Sequence, residues 1–359
     1  MTRLRQIALG GLAALAIGGA ASSALAEESG SFQNRLGAAT IGLPLGALPP
    51  PGLYTGLETA FLGMPQSIPS TGTFLPGAGA GLHLSLPAIA NAVPLLFVPG
   101  WSFLGASYGM SVVQAFYNNN TCTGGLGSCT GAGFFGSGNN AIQGGGYVTA
   151  NTTFNPITLS WNLGGGWFVS GSFNFMAPDG TRSSAVLTTP NPDYWTLEPA
   201  FAISYLSGTW NITGNFFYDI NGPTQGHCCV GAAAPSGVIL PGLGETSGNL
   251  FYGDLHALYK MGKWSFGPVG AFEFQTTDDT GSACTNAVSS ALGVCNRFGY
   301  AQIGGLVGYD FGPVDLQVWV TDGIWSQNAA GGAGTIEVYT RLGFKLWGPE
   351  APKPLVAKN

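Results

Sequence analysis

The chain has 359 residues, of which only 8% are Asp, Glu, Lys or Arg, and its formal net charge is −6. Soluble domains carry roughly 25% charged residues, so an ordinary charged surface is excluded, and the acidic balance argues against nucleic acid as a partner. After the first residues no run of about twenty apolar side chains occurs, which argues against a helical membrane span. A transmembrane β-barrel fits these facts, because only every second strand residue faces lipid.

The first residues, 1–26, predict a secretory signal peptide. Arg3 and Arg5 precede an apolar core rich in Ala and Gly, and Ala24-Leu25-Ala26 is a small-x-small cleavage site. The alternative, an uncleaved membrane anchor, would need a longer apolar core. We therefore expect Sec-type export and, for a barrel, insertion into the lipid bilayer of the bacterial outer membrane.

Residues 27–51 are rich in Pro, Gly and Ala, end in Pro49-Pro50-Pro51 and show no clean period. We expect either a flexible periplasmic segment or a piece folded into the barrel mouth, where it would plug the lumen. The barrel itself is expected at 52–347, followed by a periplasmic tail at 348–359.

Twelve blocks with strand-like alternation predict an all-β, antiparallel, up-and-down barrel. Short turns alternate with longer polar or glycine-rich connections, as in outer-membrane barrels with short periplasmic turns and long external loops. The even number of strands places both termini in the periplasm. The predicted strands are 53–63, 82–97, 101–117, 143–162, 166–177, 193–206, 209–220, 248–261, 263–276, 297–310, 313–323 and 335–347.

The hairpin at 246–279 shows which face is apolar. Phe251, Leu255 and Tyr259 share one parity, whereas ionisable groups take the other. An Arg or Lys facing lipid at mid-membrane costs about 2–4 kcal/mol, so the ionisable parity is expected to face the lumen. The lumen-lining candidates are Glu198, Asp219, Asp254, His256, Lys260, Glu273, Asp315, Glu337, Arg341 and Lys345.

Aromatic residues cluster beside the predicted short turns, where a barrel carries its periplasmic girdle. A soluble β-sandwich with scattered aromatics is the alternative, but its outer faces would need charges that this chain lacks. The residues of this group are Trp101, Trp161, Trp167, Tyr205, Trp210, Tyr259 and Trp264.

Three parts of the second half carry a family resemblance: 195–222, the 246–279 hairpin with its Trp-x-Phe-Gly and Phe-Gln-Thr-Thr-Asp-Asp pieces, and 298–310. In these parts the sequence resembles outer-membrane barrel proteins grouped under a MetA pathway of phenol degradation. The resemblance implies a channel associated with catabolism of aromatic or other hydrophobic compounds. It implies no catalytic residues.

All six cysteines fall in predicted external loops. Cys122 and Cys129 share one loop and Cys284 and Cys295 another, so each pair could form a local disulfide after export. Cys228 and Cys229 are adjacent, which disfavours a bond between them. With His227 they could hold a soft metal ion, but a further ligand is missing nearby, so we expect no metal site.

Catalysis has little support in this sequence. A hydrolytic triad would need Ser, His and an acid to converge, and only the parity of His256, Asp254 and Ser204 hints at this. A luminal histidine within a hydrogen-bond network is the simpler interpretation. Motifs for phosphate, zinc or calcium are lacking, so we expect a non-enzyme without cofactors.

The luminal charges suggest two functional interpretations. Carboxylates near the external strand ends and lysines near the periplasmic ends would disfavour anions at entry, or these groups could simply pair across the lumen. We expect a channel for small neutral, aromatic or hydrophobic solutes. The alternative is a surface structural or binding barrel whose external loops recognise a ligand without transport, and a homo-oligomer is left open.

Overall fold

The computed structural model describes residues 35–62, 88–119, 147–181, 192–223, 245–281, 297, 299–327 and 336–349. Within these residues, no helix has the length and apolar character needed to span a membrane. The strands are β1 (Gly52–Leu62), β2 (Ala88–Val98), β3 (Ser102–Phe103), β4 (Ala106–Asn119), β5 (Tyr147–Thr149), β6 (Thr152–Gly164), β7 (Trp167–Ala177), β8 (Thr196–Leu206), β9 (Trp210–Asn221), β10 (Glu245–Thr246), β11 (Leu250–Met261), β12 (Trp264–Gln275), β13 (Thr280–Gly281), β14 (Gly299–Asp310), β15 (Val314–Gln327) and β16 (Ile336–Trp347).

Twelve of these strands form one closed antiparallel barrel, which confirms the predicted fold. Each long strand pairs with the next long strand along the chain, and the first strand, β1, pairs with both β2 and the last strand, β16. The short strands β3 and β5 both add to β4, whereas β10 and β13 form a separate two-stranded sheet. Closure removes the sheet edges that would otherwise leave unpaired backbone groups in lipid.

The two ends of the barrel differ in the length of their connections. At one end, which we call the tight-turn end, two or three residues join β6 to β7, β8 to β9, β11 to β12 and β14 to β15. Gly262 in one of these turns has a φ of 63°, a conformation that favours glycine. The opposite, long-connection end carries the longer links. The general rule for outer-membrane barrels places the tight-turn end in the periplasm.

Three local differences from the predicted strands have physical causes. A small hairpin of β3 and β4 follows Gly100, with Leu104 and Gly105 at positive φ in its turn. The predicted block 143–162 is interrupted between β5 and β6, where the Asn151 side chain holds loop backbone at Pro192 and Gly180. Strand β15 extends beyond residue 323 because it pairs with β14 as far as Gln327.

The outer face of the barrel is apolar. Side chains such as Phe201, Ile303 and Val307 expose half or more of their surface. Aromatic residues from neighbouring strands meet near the tight-turn end, where Trp210 contacts Tyr259 with ring centroids 5.2 Å apart. Similar pairs there are Trp101–Tyr108, Trp167–Tyr205 and Trp264–Tyr309. This face has the composition of a lipid-facing surface with an interfacial aromatic belt.

Residues 35–51, which we call the inner segment, run inside the barrel. Successive turns shape this segment, with backbone bonds from Ile41 N to Ala38 O and from Leu43 N to Thr40 O. Ile41 is fully buried, in one cluster with inward side chains of β11, β14 and β15. The core of the molecule therefore lies in the lumen, between the inner segment and the barrel wall.

Candidate functional site in the barrel lumen

Two of the predicted luminal residues bind the inner segment directly. The Thr40 hydroxyl donates to both carboxylate oxygens of Asp254, at 2.8 and 2.6 Å, and the Thr40 N–H also points at this carboxylate, at 3.2 Å. Two residues further along both segments, the Gly42 N–H donates to Nδ1 of His256 at 3.2 Å. An Nδ1 that accepts a hydrogen bond belongs to a neutral imidazole with its proton on Nε2. Both side chains therefore hold the inner segment, Asp254 through the hydroxyl and N–H of Thr40 and His256 through the N–H of Gly42.

Serine hydroxyls hold the second half of the inner segment. The Gly46 N–H donates to Ser204 Oγ at 3.1 Å, and the Ser160 hydroxyl donates to the Gly46 carbonyl at 2.7 Å. The Ser170 hydroxyl donates to Leu45 O at 2.7 Å. A Cβ at position 46 would lie 2.7 Å from the Ser204 backbone nitrogen, so only glycine allows this close approach.

Arg341 joins the inner segment to the wall. Its guanidinium donates to Ile41 O at 2.6 Å, to Ala39 O, and to Glu58 at 2.7 and 2.9 Å. The same group lies over the Trp319 ring, 4.7 Å from its centroid. Because Glu58 lies directly across the β1–β16 pairing from Arg341, this ion pair sits at the seam where the barrel closes.

A second ion pair anchors the start of the inner segment. Arg35 forms a bidentate pair with the fully buried Glu198, at 2.9 and 2.6 Å. The hydroxyl of Tyr252 and the amide of Asn174 donate to the same carboxylate, each at 2.5 Å. Bidentate Arg–carboxylate contacts with further donors are among the stronger polar interactions in proteins. Asp219 is also buried and completes this acidic group.

The remaining luminal candidates separate into two groups. Glu273 is fully buried, and Glu337 accepts a hydrogen bond from the Tyr339 hydroxyl at 2.8 Å. By contrast, Lys260, Asp315 and Lys345 are exposed on strand ends that belong to the tight-turn end. The two arginines of the lumen bond Glu198 and Glu58.

Sequence reasoning missed several residues of this site. Arg35 lies in a stretch without period, and Glu58 was not singled out on the first strand. Trp319 and Tyr339 have the same parity as Gln317 and Arg341, so their inward position follows from alternation. They were overlooked because aromatic residues were assigned to lipid. In the structure the two rings are stacked, with centroids 5.0 Å apart, and both are buried.

One part of the barrel wall has no charged residue at all. The chain contains no Asp, Glu, Lys or Arg between Glu58 and Asp179, a range that includes β2, β4, β6 and β7. The inward positions of β2 and β4 include Ala90, Ala92 and Ala115. A cavity of about 90 Å³ lies between these alanines and the inner segment.

In the described part of the chain, the side chains are not arranged as a catalytic triad or a metal centre. Ser204 Oγ accepts hydrogen bonds from Gly46 and Thr213, whereas His256 binds Gly42. Among the residues that the structure describes, no group of three His, Cys, Asp or Glu side chains could hold a metal ion. The described residues do not include 1–34 or 350–359. They also do not include His227 or the six cysteines, so the two predicted disulfides lie outside them.

A closed antiparallel barrel with an apolar outer face and its charged groups inside defines an outer-membrane β-barrel protein. The sequence then identifies which group of barrels this is. The family model described as "Putative MetA-pathway of phenol degradation" matches residues 72–336, and the chain belongs to this family. No protein with a curated description matches the sequence.

The solved structures that resemble this chain do so at low sequence identity. The COG4313 outer membrane channel from Pseudomonas putida F1 is 11% identical, with a TM-score of 0.54 over 83% of this chain and 96% of that chain. The Pseudomonas putida toluene transporter TodX is 11% identical, with a TM-score of 0.43 over 91% of this chain and 99% of that chain. The Ralstonia pickettii toluene transporter TbuX is 9% identical, with a TM-score of 0.40 over 91% and 98%.

Proposed function

We propose that the protein is an outer-membrane channel for small, neutral, aromatic or hydrophobic molecules. The proposal is based on the uneven distribution of charge around the lumen, since one part of the wall carries charged residues and another part carries none. The two luminal arginines, Arg35 and Arg341, are engaged in ion pairs with Glu198 and Glu58, and the wall of β2, β4, β6 and β7 has no charged residue. Family membership and the likeness to the COG4313 outer membrane channel support the same function. The proposal involves no catalytic step and no cofactor.

The inner segment is proposed to act as a plug that narrows the lumen. Twelve strands enclose a lumen between the side-chain-filled interior of eight strands and the open pore of sixteen, so one additional chain segment has a large effect on its width. The inner segment also bonds Asp254, Glu198 and Arg341, side chains that would otherwise face permeating ions. A lumen narrowed in this way favours uncharged solutes.

The test compares two solutes of similar size and different charge. Purified protein is reconstituted into vesicles whose outer leaflet is lipopolysaccharide, and uptake of radiolabelled phenol and benzoate is measured at neutral pH. We expect phenol uptake above that of protein-free vesicles and little uptake of the benzoate anion. Phenol uptake equal to that of protein-free vesicles would refute the channel and favour the alternative of a loop-mediated binding protein.

The proposed acidic external vestibule needs a separate measurement. Single-channel reversal potentials in a salt gradient report the sign of the preferred ion. Cation preference is expected if Glu198, Asp219 and the neighbouring carboxylates dominate the field at the long-connection end. Anion preference would contradict this part of the proposal and leave the passage of neutral solutes untouched.

A further inference from the structure

Within the described residues, the inner segment has hydrogen-bond partners on most of the lumen wall but none on β2 or β4. Its hydrogen bonds to wall side chains include those to β6 to β9, β11 and β16, and near the tight-turn end the Tyr54 hydroxyl of β1 donates to Pro50 O. On β4 it makes an apolar contact near the tight-turn end, where Leu48 packs so closely over Gly109 that a Cβ there would lie 3.0 Å from a Leu48 methyl group. Further toward the long-connection end, the cavity of about 90 Å³ lies between the segment and β1, β2 and β4, beside the cluster in which Ala38 and Ile41 join Ala60 and Ala90.

Small side chains form the wall of this cavity. Ala92 lies between Glu58 on β1 and Ala115 on β4 in the strand pairing, and Ala90 lies opposite Ala60. Four alanines on three adjacent strands leave space here, and Asn91, Val113, Asn151 and Thr153 complete the lining. Leu36 and Ala39 of the segment contribute the opposite, apolar side.

The two charged residues at the cavity already have ionic partners. Arg35 is paired with Glu198, and Glu58 is paired with Arg341. A charged ligand would have to displace one of these buried partners, which leaves a charge uncompensated and is costly. The chemistry of the cavity therefore selects uncharged molecules with an apolar body.

We propose that this alanine-lined cavity is the solute-binding site of the channel, and that Ala92 and Ala115 set the largest cross-section that passes. The inference rests on the proposed function and names the part of the lumen that performs it. A cavity of roughly 150 Å³ with apolar walls accepts benzene, so the smaller volume here suits a molecule no larger than a single aromatic ring. The solute passes along β1, β2 and β4 while the inner segment stays bound to the opposite wall.

The first test fills the cavity. Ala92→Phe and Ala115→Phe are compared with Val93→Phe, whose outward side chain on the same strand is 41% exposed. Phenol uptake should fall about fivefold or more in the two inward variants, because a solute would then overpack the filled cavity, and fivefold corresponds to the lower end of that free-energy cost. Uptake should stay at the wild-type rate in Val93→Phe. Wild-type uptake in all three variants would overturn the inference while leaving the channel function intact. A wild-type protein without uptake would instead refute the channel function.

Graded variants keep the test informative if a phenylalanine prevents folding. The folded barrel is recognised by its heat-modifiable electrophoretic mobility. Ala92→Val and Ala92→Leu should slow uptake of 4-methylphenol more than uptake of phenol, with the larger side chain having the larger effect. Equal slowing of both solutes would contradict a size limit set at this position.

The second test separates passage beside the inner segment from passage after its release. Thr40→Cys combined with Asp254→Cys places a disulfide where the two side chains are in hydrogen-bond contact. Within this variant, the oxidised protein should take up phenol as fast as the reduced protein, because the segment stays in place during transport. Uptake that appears only after reduction would overturn the proposed route.

Discussion

The two sides of the barrel use different chemistry for different tasks. The charged side, β8 to β16 with β1, presents carboxylates, arginine and histidine to the inner segment. The uncharged side, β2 to β7, combines an alanine-lined wall at the cavity with serines that bind backbone at 45–46. A chain without regular secondary structure must find partners for its backbone groups, and the charged side supplies most of them. The uncharged side leaves space.

The difference explains how a sparsely charged protein places its few charges. Buried ion pairs add little net stability, but breaking one is costly. In this barrel the Arg35–Glu198 pair fixes the start of the inner segment, and Arg341, which is paired with Glu58, fixes its middle by hydrogen bonds to backbone carbonyls. Solutes can then bind to the uncharged wall without competition from the segment. Four experiments test this division, from the largest expected effect to the smallest.

Removal of the segment should have the largest effect. Deleting residues 27–47 should raise single-channel conductance several-fold, because the charged side would then face an open lumen. Conductance is measured in planar bilayers. Deletion of 27–34 alone is the control, since every contact described above lies within 35–51. Unchanged conductance after the longer deletion would argue against a plug.

Arg341→Met should destabilise both the seam and the segment. It removes the donor to Ile41 and Ala39 and leaves Glu58 buried without its cation, a loss of about 3–5 kcal/mol for a buried pair. We expect a lower unfolding temperature and frequent openings in single-channel records. The double variant with Glu58→Gln should recover part of the stability but not the closed state. Full additivity of the two substitutions would show that the pair is not coupled.

Gly46→Val should displace the second half of the segment only. Its side chain would meet the Ser204 backbone nitrogen and the Phe168 carbonyl at less than 3.0 Å. We expect a moderate rise in conductance with little change in barrel stability. Gly171→Ala is the matched control, because nothing lies within 4 Å of a Cβ at that position. A rise of equal size in the control would indicate a general effect of glycine replacement.

The smallest effect is expected for an ion pair outside the lumen. Arg297 and Asp278 lie 2.6 Å apart with both side chains well exposed. The hydrogen bond from Arg297 lowers the pKa of Asp278. Any stabilisation is therefore present above the ordinary pKa of an aspartate and disappears as the pH falls through the lowered value. Exposed pairs contribute little, so Asp278→Asn should leave the unfolding temperature unchanged at neutral pH.

Alternation predicted the barrel because lipid and lumen impose opposite demands on successive residues. The parity of Asp254 and His256 relative to Leu255 therefore indicated their inward direction. Connection lengths and the aromatic residues beside the tight turns indicated which end is which. These features depend on neighbours in sequence, and a single chain displays them directly.

The arrangement inside the lumen could not be predicted in the same way. The inner segment binds largely through its backbone, as the contacts of Gly42 and Gly46 show, and backbone groups leave no trace in residue type. Its partner Arg341 lies about 300 positions away in sequence. Arg341 lies over the Trp319 ring, and both Trp319 and Tyr339 share a buried cluster with the segment, which reverses the usual placement of aromatic residues. The cavity forms where neither the barrel wall nor the inner segment fills the lumen.

The position of Arg341 has a consequence for assembly. It belongs to the last strand, its ionic partner Glu58 belongs to the first, and its other partners lie at 39–41. The pair with Glu58 therefore forms only when the two ends of the barrel have met. At this point one guanidinium joins the closure of the barrel to the seating of the middle of the segment.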